Sequence, residues 1–419
     1  MSAFEQLWVW NDPALKGRLA WYLAVAENRK PAKFRIARTV PVALSLPEAS
    51  EDALWDELAR LTPVFLERLR RIRNEAAPLG PPAPRPHLLD LCRELAQRML
   101  THCNFCRWNC RVDRSRGTKL GTCRLAAESR VSSYFHHPGE ELVYRGRLGS
   151  GTIFFTSCNM RCAFCQNGDI STDKDNGMAV EGRTLATMAW LLRMEGCHNI
   201  NWVGGEVTIH LHAIVEAISL LGDELARPSR EDVRRALPAK SDGSLYDLLP
   251  ASAAYEGAFN APMLWNSNFF MSEETMRILR LLVDVWLPDF KFGPGRCAIA
   301  LARTPRYWET VTQNLALIHG WGEDFTIRHL VMPNHVACCT YPVLDWIAAH
   351  MPDAPVNVMD QYHPDTFCDP GGGKYDPRYA ELARRPTASE IRDACRHAKG
   401  LGLKYETLTH EKNLFGLFA

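Results

Sequence analysis

No run of about 18 consecutive apolar residues occurs in the 419-residue chain, so a membrane-spanning helix is not expected. Charge of one sign is lacking too: 49 lysines and arginines stand against 48 aspartates and glutamates, leaving no global field for nucleic acid or a membrane surface. The opening MSAFEQLWVWNDPALKGRLAWYLAVAENRK has no basic start, continuous apolar core or small-residue cleavage site, so no secretory signal is read there. These absences predict a cytoplasmic protein with neither membrane nor nucleic-acid partners. In that reducing compartment its 14 cysteines are poor material for a disulfide framework, and clustered ones point to metal or catalysis. What is present is an ordinary globular composition, 46% apolar and 23% charged, over a length that suits about two or three domains.

Residues 1–100 read as a mostly helical domain, with Leu54, Leu58, Leu61, Phe65, Leu66 and Leu69 at helical spacing. The proline-rich PLGPPAPRPHL forbids a helix and suggests a stiff connector. A helix LLDLCRELAQRML then leads into a cysteine-rich segment, residues 101–145. From 146 to 419 short apolar runs alternate with amphipathic helices. The runs are TIFFT, NINWVGG, PMLWNSN, DVWLPDFKF, FTIRHLVM and VNVMDQY. Six strands with helical crossovers imply a parallel sheet whose working residues sit at the C-terminal strand ends. Thr387 is expected to cap the last helix, with Glu390 completing a capping box. The polar, proline-rich stretch at 226–257 is expected to be a surface insertion rather than a substrate lid.

The stretch TSCNMRCAFCQNG places Cys158, Cys162 and Cys165 as C-x3-C-x2-C in the loop leaving the first of these strands. Structural zinc and ordinary iron-sulfur clusters want four protein ligands. The next histidine along the chain is His198, too distant in sequence to read as the fourth. Three thiolates can instead hold three irons of a [4Fe-4S] cube and leave the last iron open to a small molecule.

On these residues the chain resembles the radical S-adenosylmethionine (SAM) enzymes, with Phe164 at the family's aromatic position. Gly204, Gly205 and Glu206 in NWVGGEVT resemble the family's GGE motif, although Val207 stands where proline is usual. The resemblance implies a partial (β/α)6 TIM-like barrel and an oxidoreductase or radical-generating activity. The cluster iron would chelate SAM, and its electron would cleave SAM to a 5'-deoxyadenosyl radical that takes hydrogen from substrate. It further implies a reducing donor such as flavodoxin or ferredoxin, Phe164 near adenine, and Gly204, Gly205 and Glu206 at the methionine end. Two glycines would let backbone approach the ligand, and the carboxylate would accept from its ammonium.

Asn266, Ser267, Asn268, Asp289 and Lys291 follow the third and fourth strands. Asp289 and Lys291, as alternate strand residues, are expected to face the same way around a ligand. Arg328 and Gln361 complete the expected pocket, whereas the histidines His329, His335 and His363 read as structural. DFKFG, RHLVMPNH and VNVMDQYHP are similar to the activase-like branch, near homologues of pyruvate formate-lyase activating enzyme. That similarity extends over about Cys103 to Leu403. It leaves open hydrogen abstraction from a peptide or small molecule and activation of a glycyl radical enzyme; a non-catalytic electron-transfer or zinc protein is the reading outside enzymes.

Upstream, Cys103, Cys106, Cys110 and Cys123 form C-x2-C-x3-C-x12-C, able to close a second [4Fe-4S] cluster or a zinc site. Arg107, Arg111, Arg114 and Arg116 would offset its charge. A nucleic-acid knuckle is disfavoured by few aromatics beyond Phe105 and Trp108. Cys338 and Cys339, being adjacent, are expected not to chelate one metal together. Cys92, Cys197, Cys297, Cys368 and Cys395 read as scattered core or surface thiols.

Overall fold

The computed structural model describes residues 7–75, 77–222, 228–237 and 251–410. Short helices Pro13–Arg18, Ala20–Ala26 and Lys33–Ala37 precede α1 (Glu51–Glu75) and α2 (Leu88–Arg98). Helix α1 buries one stripe, Leu54, Leu58, Leu61, Phe65, Leu69 and Ile72, as a core-facing amphipathic helix should. His87 caps α2 in a reciprocal box with Asp90. The proline-rich connector between them is not helical.

Among the described residues ten strands follow: β1 (Ser129–His137), β2 (Ser150–Phe155), β3 (Met178–Val180), β4 (Ile200–Gly204), β5 (Ala254–Tyr255), β6 (Ala258–Phe259), β7 (Met263–Ser267), β8 (Val285–Pro288), β9 (Ile327–Leu330) and β10 (Val356–Met359). Strands β2, β4, β7 and β8 are parallel neighbours in chain order, and β9 pairs in parallel with β10. Single parallel bridges, Trp286 to Phe325 and Asp289 to Arg328, tie β8 to the β9 side. These are the six runs expected from the sequence.

One feature differs from expectation. Strand β1 pairs antiparallel with both β2 and β3, so the sheet is mixed, in the order β3-β1-β2-β4-β7-β8. Among the described residues no sheet closes on itself.

Helices α3 (Gly182–Met194), α4 (Leu211–Gly222), α5 (Arg230–Ala236), α6 (Glu273–Leu279), α7 (Cys297–Ala302), α8 (Tyr307–Gly320), α9 (Tyr341–His350) and α10 (Ala388–Gly400) fill the crossovers and the C-terminal end. Thr387 and Glu390 form the capping box of α10. Trp202, Trp265 and Trp286 lie side by side in register on β4, β7 and β8, all fully buried.

The N-terminal helices share one continuous apolar core with the sheet region. Buried carboxylates at the entrances of two strands pin them there. Asp284 accepts from Trp21 Nε1 at 2.9 Å and the Lys33 amide at 3.0 Å, and Asp324 accepts from the Tyr22 amide at 2.9 Å. Of the 226–257 stretch, 228–237 includes α5 and 251–257 includes β5, which pairs with β6 in a small hairpin, and its other positions lie outside the described residues. Asp232 of α5 pairs with Arg183 of α3 at 2.7 Å, on the outer side of the sheet. No helix among the described residues is long and apolar enough to cross a membrane.

Candidate active site

Cys158, Cys162 and Cys165 occupy the loop between β2 and the short helix Gly168–Ser171 and open into a cavity of about 630 Å³. Phe164, Gly204, Gly205 and Glu206 reach the same cavity, as do Asn266, Asn268, Asp289, Lys291, Arg328 and Gln361. His329 and His335 do not line it.

Packing from several directions fixes the loop. The Arg161 and Ala163 amides donate to the Ala302 and Leu301 carbonyls at the end of α7, at 3.0 and 2.8 Å. Thr366 Oγ1 donates to the Cys165 carbonyl at 2.6 Å, and the Phe367 amide to the Ala163 carbonyl at 3.0 Å. The upstream cysteine segment holds the other side. Trp108 Nε1 donates to the Asn159 carbonyl at 2.7 Å, Ser157 Oγ to the Cys123 carbonyl at 2.5 Å and Arg161 to the Thr122 carbonyl at 2.5 Å. Ser157 adopts φ of 65°, a left-handed conformation that costs energy for a residue with a side chain and recurs at functional sites.

Close backbone contacts require glycine at the end of β4. A Cβ on Gly204 would lie 2.2 Å from the Phe155 amide nitrogen, and one on Gly205 would lie 1.9 Å from the Ser157 carbonyl oxygen. The two glycines let β4 close onto the start of the cysteine loop.

The Glu206 carboxylate also differs from expectation. It accepts from the Thr208 amide at 3.0 Å, Thr208 Oγ1 at 2.5 Å, Ser267 Oγ at 2.7 Å and the Asn268 amide at 2.9 Å, and is 2% exposed. Although Glu206 borders the cavity, these four donors tie its carboxylate to the ends of β4 and β7 and leave it no free acceptor aimed at a ligand ammonium. Asn268 is likewise a satisfied turn residue, donating to Asn159 Oδ1 at 2.8 Å and accepting from the Phe270 amide at 3.0 Å.

A charged network forms another wall. Lys291 Nζ lies 2.6 Å from Asp289, Arg328 Nε donates to the other Asp289 oxygen at 2.9 Å, and Arg328 also reaches Glu140 at 3.1 Å and Asn266. Asp289 and Lys291 face the same way, as their alternation requires, and they bind each other. Burial opposes the Lys291 charge, but Asp289 and then Cys162 hold its pKa above the ordinary lysine value. Glu140 was not read from the sequence. Burial and then the adjacent Glu141 raise its pKa to about 8, against the pull of Arg328. It lies before a short helical turn in HHPGEELVY, where no periodicity marks it, and only the β1–β2 pairing brings it to the cavity.

Burial raises all three thiols: Cys158 well up, with Glu206 adding to the effect, Cys162 to about 12 against Lys291, and Cys165 against a bond from Ser171 Oγ at 3.2 Å. Thiols held protonated this firmly are weak nucleophiles, and a bound metal deprotonates them outright. Their donor set therefore suits a metal cluster better than covalent catalysis.

The upstream segment, residues 103–124, forms neither helix nor strand, and a single antiparallel bridge from Cys106 to Met271 ties it beyond β7. Cys103, Cys106 and Cys123 lie near enough to influence one another electrostatically, while Cys110 Sγ lies 3.9 Å from Thr122 Oγ1. Burial raises the Cys103 pKa against the pull of Arg114, which is itself almost fully buried and donates to the Ile209 carbonyl at 2.8 Å. Four thiolates on one zinc would stand roughly 3.8 Å apart. Among the described residues, neither cysteine set is gathered so that its ligand atoms all lie within 4.8 Å of one another. A cube, which spreads its thiolates over separate irons, asks for wider spacing.

The structure does gather four residues read as unrelated. Cys297, His335, Cys338 and Cys339 bring their ligand atoms within 4.8 Å of one another. The adjacent cysteines both belong to this group, because Cys338 and Cys339 stand three and four positions after His335, on one face of the turn that carries them.

No family model matches the chain. It is 33% identical over 392 residues to the uncharacterized protein MJ0674 of Methanocaldococcus jannaschii, covering 92% of this chain and 98% of that protein. Among solved structures, Streptococcus suis SuiB aligns at TM-score 0.37 and 9% identity, over 58% of this chain and 44% of SuiB. SuiB bound to S-adenosylmethionine and SuiB bound to its precursor peptide SuiA each align at 0.38, with 11% and 10% identity over 58% and 62% of this chain. The alignments span just under half of SuiB, 44% to 49%.

Proposed function

The chain belongs to the family of the uncharacterized protein MJ0674, and we propose that it is a radical SAM enzyme whose [4Fe-4S] cluster is held by Cys158, Cys162 and Cys165. The observation that carries this reading is the open ligand set: three thiols on one loop, Cys158 buried and Cys162 and Cys165 half-buried, line one cavity, and no fourth cysteine lines it among the described residues. When bound, the cluster supplies the electron for reductive cleavage of SAM.

The protein's own part is positioning and exclusion of water. The Arg161 and Ala163 amide bonds to α7 and the Thr366 bond to Cys165 fix where the three sulfurs stand. Gly204 and Gly205 present backbone at the cavity wall, where it can meet the polar end of SAM. Phe164, packed against Phe292 and Tyr362 at 6.0 Å, offers an apolar face for adenine. Lys291 beside Cys162 offsets the thiolate charge, and Asn266, Asp289 and Arg328 shape the opposite wall. The six parallel strands are read as a partial barrel on the same basis.

Hydrogen abstraction from a peptide or small molecule is preferred to glycyl radical activation. The upstream segment, bonded to the cluster loop through Trp108, Ser157 and Arg161, supplies a second cysteine site beside the cavity. Arg124 and Arg303, exposed at the cavity rim, suit a substrate carrying an anionic group.

Anaerobic reconstitution with iron and sulfide, followed by reduction in the presence of SAM, tests the proposal. 5'-Deoxyadenosine should form in the native protein and not in a Cys158→Ala, Cys162→Ala, Cys165→Ala variant. A fully loaded native protein that forms none overturns it. Retention of iron in the triple variant would assign a cluster to Cys103, Cys106, Cys110 and Cys123; zinc that is lost only when Cys106→Ser and Cys110→Ser are added to that variant would assign zinc to them.

A further inference from the structure

Outside the cavity, four metal-ligating side chains meet where α7 begins. Cys297 Sγ lies 3.6 Å from Cys338 Sγ and 3.6 Å from His335 Nδ1. Cys338 Sγ lies 3.3 Å from the same nitrogen and 4.0 Å from Cys339 Sγ. Ligands about 2.3 Å (sulfur) and about 2.0 Å (nitrogen) from a tetrahedral zinc stand roughly 3.8 Å apart between sulfurs and roughly 3.5 Å between sulfur and nitrogen. The observed distances lie on both sides of those values. The Cys297 to Cys338 separation is well beyond a disulfide bond of about 2.05 Å, and all four groups can be held by one ion.

Local structure explains how adjacent cysteines come to share a site. Residues 335, 338 and 339 stand at i, i+3 and i+4, the spacing that puts side chains on one helical face. Val336–Thr340 is a single π-helical turn, an irregularity that recurs at functional sites. Thr340 Oγ1 meets His329 Nε2 at 2.9 Å, which anchors the turn on β9. His335 turns Nδ1 to the thiols, and its buried Nε2 has no hydrogen-bond partner, with Glu381 Oε1 3.6 Å away. A carboxylate behind a metal-bound imidazole is the arrangement that orients such ligands.

We propose that Cys297, His335, Cys338 and Cys339 bind one zinc ion that clamps α7 to this turn. Binding forms three zinc–thiolate bonds and one zinc–imidazole bond and releases the three thiol protons to solvent. Four protein ligands close the coordination sphere, which makes the site structural. Its effect reaches the active site through α7: Cys297 starts the helix, and the Leu301 and Ala302 carbonyls at its other end hold the Ala163 and Arg161 amides of the cysteine loop. The zinc site stands on its own geometry, whatever Cys158, Cys162 and Cys165 hold.

Elemental analysis of the full chain purified under reducing conditions tests it. Native protein and the Cys158→Ala, Cys162→Ala, Cys165→Ala variant should both carry this zinc, and Cys338→Ser and His335→Gln should each lack about one equivalent. Cys338 is exposed, so serine there leaves the core packing in place. Cobalt(II) added to metal-stripped protein gives a second measurement, since thiolate-to-cobalt absorption should develop in the native chain and weaken in Cys338→Ser. Hydrogen exchange at the Arg161 and Ala163 amides should accelerate in the zinc-deficient variants. Unchanged zinc content, unchanged cobalt spectra or a Cys297–Cys338 disulfide in the reduced preparation overturns the site; unchanged exchange overturns the clamp.

Discussion

At the scale of single residues, Glu206 decides how the proposed SAM-side motif works. Four donors converge on its two oxygens in a site with almost no solvent. Glutamine keeps the shape but replaces one acceptor oxygen with a donor, leaving at least one buried N–H or O–H unsatisfied. Such a loss costs about 1–3 kcal/mol. Glu206→Gln should therefore lower the denaturation midpoint and weaken SAM binding together. If it abolishes SAM binding at unchanged stability, the carboxylate contacts the ligand and this assignment is wrong. The sequence marked Glu206 as a site residue, because a motif records which residues meet, but spacing does not record which way a carboxylate turns. Cys297 and Cys338 show the stronger limit. They are separated by 41 positions, and only the packing of α7 on a π-helical turn makes them neighbours.

At the scale of elements, the loop from Cys158 to Cys165 depends on neighbours distant in sequence. Trp108 belongs to the upstream cysteine segment, yet its indole N–H holds the Asn159 carbonyl between the first two cysteines. Trp108→Phe retains most of the apolar contact with Phe270, at 6.0 Å, and removes that one donor. The expected result is a loss of about 1–3 kcal/mol of local stability and reduced iron uptake at the loop, with far-ultraviolet circular dichroism unchanged. Equal iron content and equal exchange at the loop amides would count against this coupling. The six parallel strands were legible because buried parallel strands read as continuous apolar runs. Strand β1 was not. Its sequence SRVSSYFHH is polar and half exposed, second from the sheet edge, while the edge strand β3, MAV, is too short to carry a period.

At the scale of the whole molecule, buried ionisable groups give stability two opposing slopes in pH. Burial holds His198, His210 and His212 neutral down to about 3, and His329 down to about 4. Unfolded histidine titrates near about 6.5, so below that pH the unfolded chain binds more protons and stability rises with pH. Three carboxyls act in the opposite sense. Burial raises Asp284 to about 6 and Asp324 to about 7, and burial with Glu141 raises Glu140 to about 8. Unfolded carboxyls titrate near about 4, so from there to about 8 the folded chain holds the extra protons and stability falls with rising pH. The four histidines oppose this fall up to about pH 6.5; above it Asp324 and Glu140 continue it, and near about pH 8.5 the raised thiols act in the same direction. Guanidinium midpoints at pH 5, 6.5 and 8.5, taken at constant metal content, should therefore be highest at the middle value. Asp324→Asn removes the group that titrates near neutrality. The drop from pH 6.5 to 8.5 should shrink in that variant, and a midpoint that keeps rising to pH 8.5 in the native protein would show that these acids are ionised in the fold.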